Sequence, residues 1–530
     1  MATAQDTLGA PGDRSFFGHP RGLSTLFFTE MWERFSYYGM RAILFLYMTK
    51  AVADGGLGWT EEYAGPVYGL YAASVYFLPL IGGWLADRFI GAKRATFVGG
   101  IIIMCGHFSL AVPSIGFFYL GLVLVAVGTG FLKSNISAMV GDLYSETDVR
   151  RDAGFSIFYM GINLGAFFSP LVCGYLAQSE SFVGFITRFG IDPHNSWHFG
   201  FAAAGVGMFF GLLQYMIGRR NLANVGLPPS ENPRVEHDAN ASNFSTAYLV
   251  QLAVVVLAAV AIVVAAVFVW DASTAITKVL TPVVVVSGLI AVIMTGMQDK
   301  LTSGDWKRIG VIMVLFAFST VFWMGFEQAS TSLNAFADKL STTNFFGYEF
   351  PSSWLQAVNP LMIVFFAPVV GYVWLKLGKR QPSDSVKFAI GLIFGGLGYM
   401  VIAIAASRLG ADPVNVAASK VTFWWLVLLY FCHTIGELCL SPVGLSSMTK
   451  LAPAKMVSLM LGVWFLSISL GNYIAGRIAG AFVADSAVLT STFTKVALIM
   501  GGAGILLFLL SPFVKKLYTQ PTDQVPVEPA

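Results

Sequence analysis

Apolar residues along the chain fall into fourteen runs long enough to cross about 30 Å of hydrocarbon, separated by short polar connections. The runs predict helices near 23–49, 62–86, 95–113, 116–140, 154–177 and 198–217, then two near 247–270 and 278–298, then six more near 309–337, 354–376, 387–406, 421–448, 456–482 and 492–514. The order is six, two, six. It divides the chain into an N-terminal bundle (1–220), a linker with a two-helix hairpin (221–306) and a C-terminal bundle (307–530). The hairpin is rich in Val, Ala and Leu, with no charge in the interior of either span. It reads as a lipid-facing spacer and is assigned no transport residue.

Lys and Arg set the orientation. Arg88, Lys93, Arg94, Arg150, Arg151, Arg219 and Arg220 are among the many basic residues on one side, whereas the other side has only Lys50, Arg188, Lys278, Lys339, Arg408, Lys420 and Lys495. Basic loops stay in the cytoplasm, so both termini are expected there. The opening 20 or so residues lack a charged stretch followed by an apolar core and a cleavage site, so the first helix is expected to direct insertion itself.

Composition agrees: 56% of residues are hydrophobic and 12% charged, with 55 Gly, 45 Phe and a mean hydropathy of +0.70. A soluble chain this apolar would have no polar surface to present. The reading is an all-α polytopic membrane protein. A net charge of +3 is too small to argue for nucleic acid. Cys105, Cys173, Cys432 and Cys439 all fall in apolar runs and read as small buried hydrophobes, with no metal-ligand spacing. No cofactor or metal is expected, and no catalytic residue is assigned.

Against that background the first helix stands out. It contains Glu30-Met-Trp-Glu33-Arg34-Phe35-Ser-Tyr37-Tyr38-Gly39 followed by Arg41. A charged side chain at mid-membrane costs roughly 2.5 to 3.5 kcal/mol on insertion scales, so such residues face a protein interior or a wet cavity and mark a substrate or proton path. At 3.6 residues per turn Glu30, Arg34, Tyr37, Tyr38 and Arg41 share one face, with Glu33 beside them. Lys133, Glu327 and Glu437 are further charges inside spans, and Tyr76, Asn163 and Asn359 are neutral hydrogen-bonding groups there. Cations and anions together suit a zwitterion, with an ammonium at one end, a carboxylate at the other and amides between.

The loop Gly82-Gly83-Trp-Leu-Ala86-Asp87-Arg88-Phe-Ile-Gly91-Ala-Lys93-Arg94 resembles the loop between helices two and three of the major facilitator superfamily. The resemblance implies that fold, with fourteen transmembrane helices, and makes Asp87, Arg88, Lys93 and Arg94 candidates for an ion-pair latch that differs between two states. Four segments are similar to the proton-coupled oligopeptide transporters of that superfamily: the first-helix sequence above, Gly128-x-Gly130-Phe-Leu-Lys133-x-Asn135-Ile-Ser137, Phe155-x-x-Phe158-Tyr159-x-x-Ile162-Asn163-x-Gly165, and Gly436-Glu437-Leu-Cys-Leu-Ser441-Pro442-x-Gly444-Leu445. They span both halves, and two extra central helices resemble the bacterial members.

The resemblance implies that Arg34 and Lys133 hold a peptide carboxylate, that Glu437 with Asn163 and Asn359 holds the amino terminus, and that Tyr37, Tyr38 and Tyr76 contact the backbone. Trp323, Trp464 and Phe465 would wall the pocket, and Ser467 joins the substrate-binding set. Each has a plainer alternative. Lys133 and Glu437 also fit a buried structural pair, Glu327 a fixed partner for Arg41, Asn359-Pro360 a helix kink, and the aromatic residues core packing. His107 reads as a packed histidine.

Charge bookkeeping suggests the coupling. Desolvation drives a buried carboxylate neutral and a nearby cation keeps it ionised, so a substrate carboxylate that competes for the cation links peptide to proton. Glu30, Glu33 and Glu327 are the expected proton carriers, with Arg34 and Arg41 as their partners. The expected protein is a monomeric symporter of di- and tripeptides in a bacterial inner membrane, surrounded by lipid. Nitrate or a drug on the same fold is the alternative. A drug antiporter would be expected to lack the Arg34, Arg41 and Lys133 cluster, a receptor would need an output domain, and no nucleophile set or phosphate loop supports an enzyme.

Overall fold

The computed structural model describes residues 14–145, 148–222, 224–228, 231, 301–410, 420–453 and 456–518. Twelve long helices appear among them: α1 (Arg21–Thr49), α2 (Glu61–Leu85), α3 (Ala92–Leu110), α4 (Ile115–Asp142), α5 (Arg151–Gln178), α6 (Ser196–Gly218), α7 (Ser303–Phe326), α8 (Val358–Leu377), α9 (Asp384–Ala406), α10 (Trp424–Leu451), α11 (Val457–Ala479) and α12 (Ser486–Tyr518). The spans expected at 247–270 and 278–298 lie outside the described residues.

Among the described residues, ten helical stretches are long and apolar enough to cross a membrane. Helix α1 is not among them because it carries Glu30, Glu33, Arg34 and Arg41, yet all four are buried. Its charges meet protein rather than lipid. Two expected boundaries differ. The run at 309–337 divides: α7 starts at a capping box between Thr302 and Asp305, ends at Phe326, and gives way to a 3₁₀ turn at Glu327–Ser330 and a short helix at Ser332–Leu340. Helix α12 runs beyond its apolar core at both ends, closing on Lys515 and Lys516 in its last turn.

In the N-terminal half α1 packs on α5 and α6, and α4 on α2 and α3; in the C-terminal half α9 packs on α10 and α12, and α7 on α11. Between the halves, α2 lies along α11 and α5 meets α8. The α2–α11 seam is built on small residues: a Cβ on Gly69 would fall 2.9 Å from the Gly476 Cα. Only glycine permits that backbone approach.

Charged fasteners gather at one end of the interface. Lys50 pairs with Asp338 at 3.3 Å and Lys339 with Glu61. Gln178 is held by Ser352 and Ser353, and Asn334 and Gln356 both donate to the Ala42 carbonyl. The scarcity of basic residues on that side places it outside the cell. No comparable packing joins α4 to α10 or α11 among the described residues. The halves are thus fastened on the extracellular side.

Cysteine placement corrects one expectation. Cys173, Cys432 and Cys439 are buried, but Cys105 is exposed on α3, where it can be accommodated because lipid is as apolar as a core. His107 is fully buried, with neither ring nitrogen hydrogen-bonded.

Candidate functional site

Helix α1 supplies the centre. Arg34 Nε lies 3.0 Å from Glu30 Oε1, one turn back, and 2.5 Å from Glu33 Oε2. Charge proximity is met but directional hydrogen bonding is not: Glu30 Oε2, both Glu33 carboxylate oxygens, Arg34 Nε and Arg34 Nη2 are buried without an aligned partner. Buried polar groups are nearly always hydrogen-bonded. A cluster this incompletely satisfied has capacity for another charged or polar group.

One and two turns on, the guanidinium of Arg34 stands 5.6 Å from the Tyr37 ring centroid and that of Arg41 6.0 and 5.9 Å from Tyr37 and Tyr38, within the range of cation–π attraction. The Tyr37 hydroxyl is buried without a partner. Arg41 bridges the halves: its Nε donates to Tyr68 Oη at 2.8 Å and its Nη2 pairs with Glu327 Oε2. Glu327 sits where α7 breaks into the 3₁₀ turn, which positions its carboxylate toward α1.

Lys133, half-buried on α4, places Nζ 3.6 Å from the Tyr76 ring centroid. It lies within electrostatic reach of Arg34, Glu33, Glu30 and Glu327. No carboxylate is within ion-pair distance of it among the described residues, and the Lys133–Glu437 pair is not formed. Across the interface, Glu437 Oε2 accepts from Asn359 Nδ2 at 3.1 Å, and the same amide donates to Thr434 Oγ1 at 3.0 Å. Tyr38 lies between, within electrostatic reach of Arg34, Arg41, Glu327 and Glu437. Cation-rich and anion-bearing walls therefore face one another across the junction of the two halves.

Several expected members sit elsewhere or act otherwise. Asn163 donates to the Tyr159 carbonyl of its own helix at 2.9 Å rather than to Glu437. Ser467 is fully buried, bonded to the Ser319 hydroxyl at 2.9 Å and to the Trp464 carbonyl at 2.7 Å, so it ties α11 to α7. Trp464 is wedged against Gly444 and Phe388 in the packing of the C-terminal half. Trp323 is buried with its indole N–H unpartnered, and packs on Phe322 and Phe326. Asn359-Pro360 lies in the first turn of α8, where a continuous helical stretch passes from 3₁₀ (Ser352–Ala357) to α and where a helix N–H is unbonded anyway.

The latch loop is also differently wired. Asp87 opens a π-helical turn at Ala86–Ile90, and Arg88 stands 6.0 Å from the Trp84 ring centroid. Lys93 is bound through its backbone, to Gly226 and Tyr215. One ion pair of this loop runs from Arg94 to Glu231 of the linker, at 2.8 Å. These contacts tie the loop to α6 and to the linker, and Asp87 stays within electrostatic reach of Arg88.

Sequence reasoning missed Tyr68, Thr434 and the extracellular ion pairs. Tyr68 carried a signal, lying eight residues before Tyr76 and so on its helix face. Thr434 likewise lies three residues, just under one turn, before Glu437, on the same side. Lys50, Glu61, Asp338 and Lys339 sit at span ends, where charge usually reports topology alone.

Two six-helix halves around an ionic centre, joined by glycine-lined seams, define a membrane carrier. A family model described as PTR2, the POT family, matches residues 93–496, and the chain belongs to that family. It is 41% identical over 506 residues to an uncharacterized transporter, YclF, of Bacillus subtilis (strain 168), covering 95% of this chain and 96% of the relative. It is 38% identical over 516 residues to a di-/tripeptide transporter of Lactococcus lactis subsp. cremoris, covering 95% and 97%. Among solved structures, a mutant of a peptide transporter POT in complex with alafosfalin superposes with a TM-score of 0.83 at 38% identity, covering 98% of this chain and 100% of that one. The chain is accordingly a multi-pass protein of the bacterial inner membrane.

Proposed function

We propose that this chain imports di- and tripeptides with protons, by alternating exposure of one central site to the two sides of the membrane. The observation that carries the reading is the incompletely hydrogen-bonded cluster of Glu30, Glu33 and Arg34, with Lys133 nearby, facing Glu437 across the junction of the halves. A short peptide complements it. Its carboxylate would bind Arg34 and Lys133, its amino terminus Glu437 beside Asn359, and its backbone Tyr37, Tyr38 and Tyr76, with Trp323 at the wall. Asn163 joins this set only if its amide turns away from its own helix. The names of the relatives support the substrate class.

In the proposed cycle Glu30, Glu33 and Glu327 carry protons, with Arg34 and Arg41 as their switching partners. A peptide carboxylate arriving at Arg34 weakens the hold of that guanidinium on Glu30 and Glu33, so one of them takes a proton. Rupture of Arg41–Glu327 does the same on the C-terminal side and unfastens the extracellular end. The halves then rock about the site. The site is complete within one chain, so the working unit is a monomer, and the proton gradient supplies the drive with no bound cofactor. Asp87, Arg88, Lys93 and Arg94 would stabilise one of the two states through the linker contacts.

Reconstitution tests this. Labelled dipeptide should accumulate in proteoliposomes under an imposed inward proton gradient, with di- and tripeptides competing and free amino acids and tetrapeptides competing poorly. Absent peptide uptake beside robust nitrate or drug flux would overturn the proposal.

A further inference from the structure

On the extracellular rim, residues 344–349 form a small antiparallel hairpin in which Phe345 pairs with Tyr348 and Asn344 with Glu349. Directly paired residues project to the same face of a hairpin. One face is therefore aromatic and the other polar. The two-residue loop is Phe346-Gly347, with φ of 50° and 87°, both in the left-handed region, as a type I′ turn requires. Gly347 donates to the Asn344 side chain at 3.0 Å. Asn-Gly is the preferred pair for such a turn, and a bulky aromatic at positive φ is a genuine outlier. Phe346 is nevertheless 94% exposed, so its edge contact with Phe345 of the same hairpin does not alone compensate for its conformation.

The neighbouring rings indicate what does. Phe346 lies 4.5 Å from Phe345, and Phe345 lies 6.2 Å from Trp424. Trp424 is the first residue of α10 and, with Leu428 one turn below, forms its exposed, lipid-facing stripe. Aromatic residues at the ends of spanning helices sit at headgroup level. The hairpin's aromatic face is continuous with that belt.

We infer that the 344–349 hairpin is an interfacial anchor that seats Phe345, Phe346 and Tyr348 among the phospholipid headgroups of the outer leaflet. A polar face toward water and an aromatic face toward lipid is the arrangement of a segment lying in the interface plane. The segment follows directly on the Ser332–Leu340 helix that bears Asp338 and Lys339. It therefore fixes the rim of the C-terminal half where the extracellular fasteners attach.

The test uses nitroxide labels on the full chain in vesicles of phosphatidylethanolamine and phosphatidylglycerol. Cys173, Cys432 and Cys439 are buried, so C105S suffices as a background. Labels at F346C and Y348C are compared with L428C as the lipid reference and V52C, on an exposed extracellular turn, as the water reference. Collision with oxygen relative to a nickel chelate should place both hairpin labels nearer the Leu428 value. Adding F346D to the Y348C protein should shift the label at 348 toward the Val52 value. Hairpin labels matching Val52, or an unmoved label at 348 after F346D, would overturn the inference. So would low collision with both reagents, because that means protein, such as a second copy of the chain, covers the tip.

Discussion

The two halves of the central site hold their charges in opposite ways. On the N-terminal side Glu30, Glu33 and Arg34 crowd one helix face, with Lys133 in reach, and several of their polar atoms lack aligned partners. On the C-terminal side each carboxylate has one defined holder: Asn359 for Glu437, and Arg41 for Glu327. A crowded, under-satisfied cluster can trade partners at low cost, since no fixed hydrogen bond is broken first. A carboxylate held by a neutral amide keeps its position while its charge remains available to a ligand. On the proposed reading the difference suits Glu30 and Glu33 to trading protons and Glu437 to orienting the substrate amine, while Glu327, ion-paired to Arg41, belongs with the proton carriers.

Removing the shared cation breaks the first region most severely. Arg34→Ala would leave Glu30 and Glu33 buried beside no guanidinium, and loss of one member of a buried pair costs about 3 to 5 kcal/mol. Both proton-driven uptake and peptide exchange should vanish, and the thermal transition in detergent should fall. A variant that exchanges peptide normally would show that Arg34 serves only the fold.

On the second region the expected effect is smaller and confined to binding. Glu437→Gln keeps an acceptor for Asn359 but loses the charge that faces a substrate ammonium. Hydrogen bonds to charged groups contribute roughly 1.5 to 3 kcal/mol, so dipeptide affinity should drop roughly ten- to a hundredfold with little change in stability. Normal competition by dipeptide in a counterflow assay would make Glu437 structural.

The extracellular fasteners should matter least one at a time. Lys50–Asp338 and Lys339–Glu61 are partly exposed pairs, the kind worth roughly 0.2 to 1 kcal/mol. Lys50→Ala and Lys339→Ala should raise the population open to the outside by a few-fold at most, read as spin-label distances across that end. A shift as large as that from Glu327→Gln would mean these pairs, and not Arg41–Glu327, hold the end closed.

Much of this was legible in the residues. Charge inside an apolar run has few meanings, so Glu30, Glu33, Arg34, Arg41, Glu327 and Glu437 announced themselves, and the structure places them around one junction. Side chains with ordinary alternatives did not. Ser467 and Trp464 carry types that serve a pocket or a core equally well, and their contacts with Ser319 and Gly444 could not be read from the residues. Asn359 was expected beside Glu437 from the family resemblance, and the start of α8 brings its amide there; the alternative of a Lys133–Glu437 pair is not formed. The break after Phe326 carried only one weak signal, Gly325 in the last turn of α7, inside a run that stays apolar through it.

The central claim is that the crowded cluster couples the proton to the peptide. Two assays on Glu30→Gln and Glu33→Gln, run side by side in proteoliposomes, test it most directly: accumulation under a proton gradient, and gradient-free exchange of labelled for unlabelled dipeptide. Exchange moves a loaded carrier back and forth without net deprotonation, so it should survive while accumulation is lost; and because coupling between two ligands is reciprocal, the wild-type affinity for peptide should change with pH. Accumulation at the wild-type rate in both variants would contradict the account and leave Glu327 as the carrier of the proton.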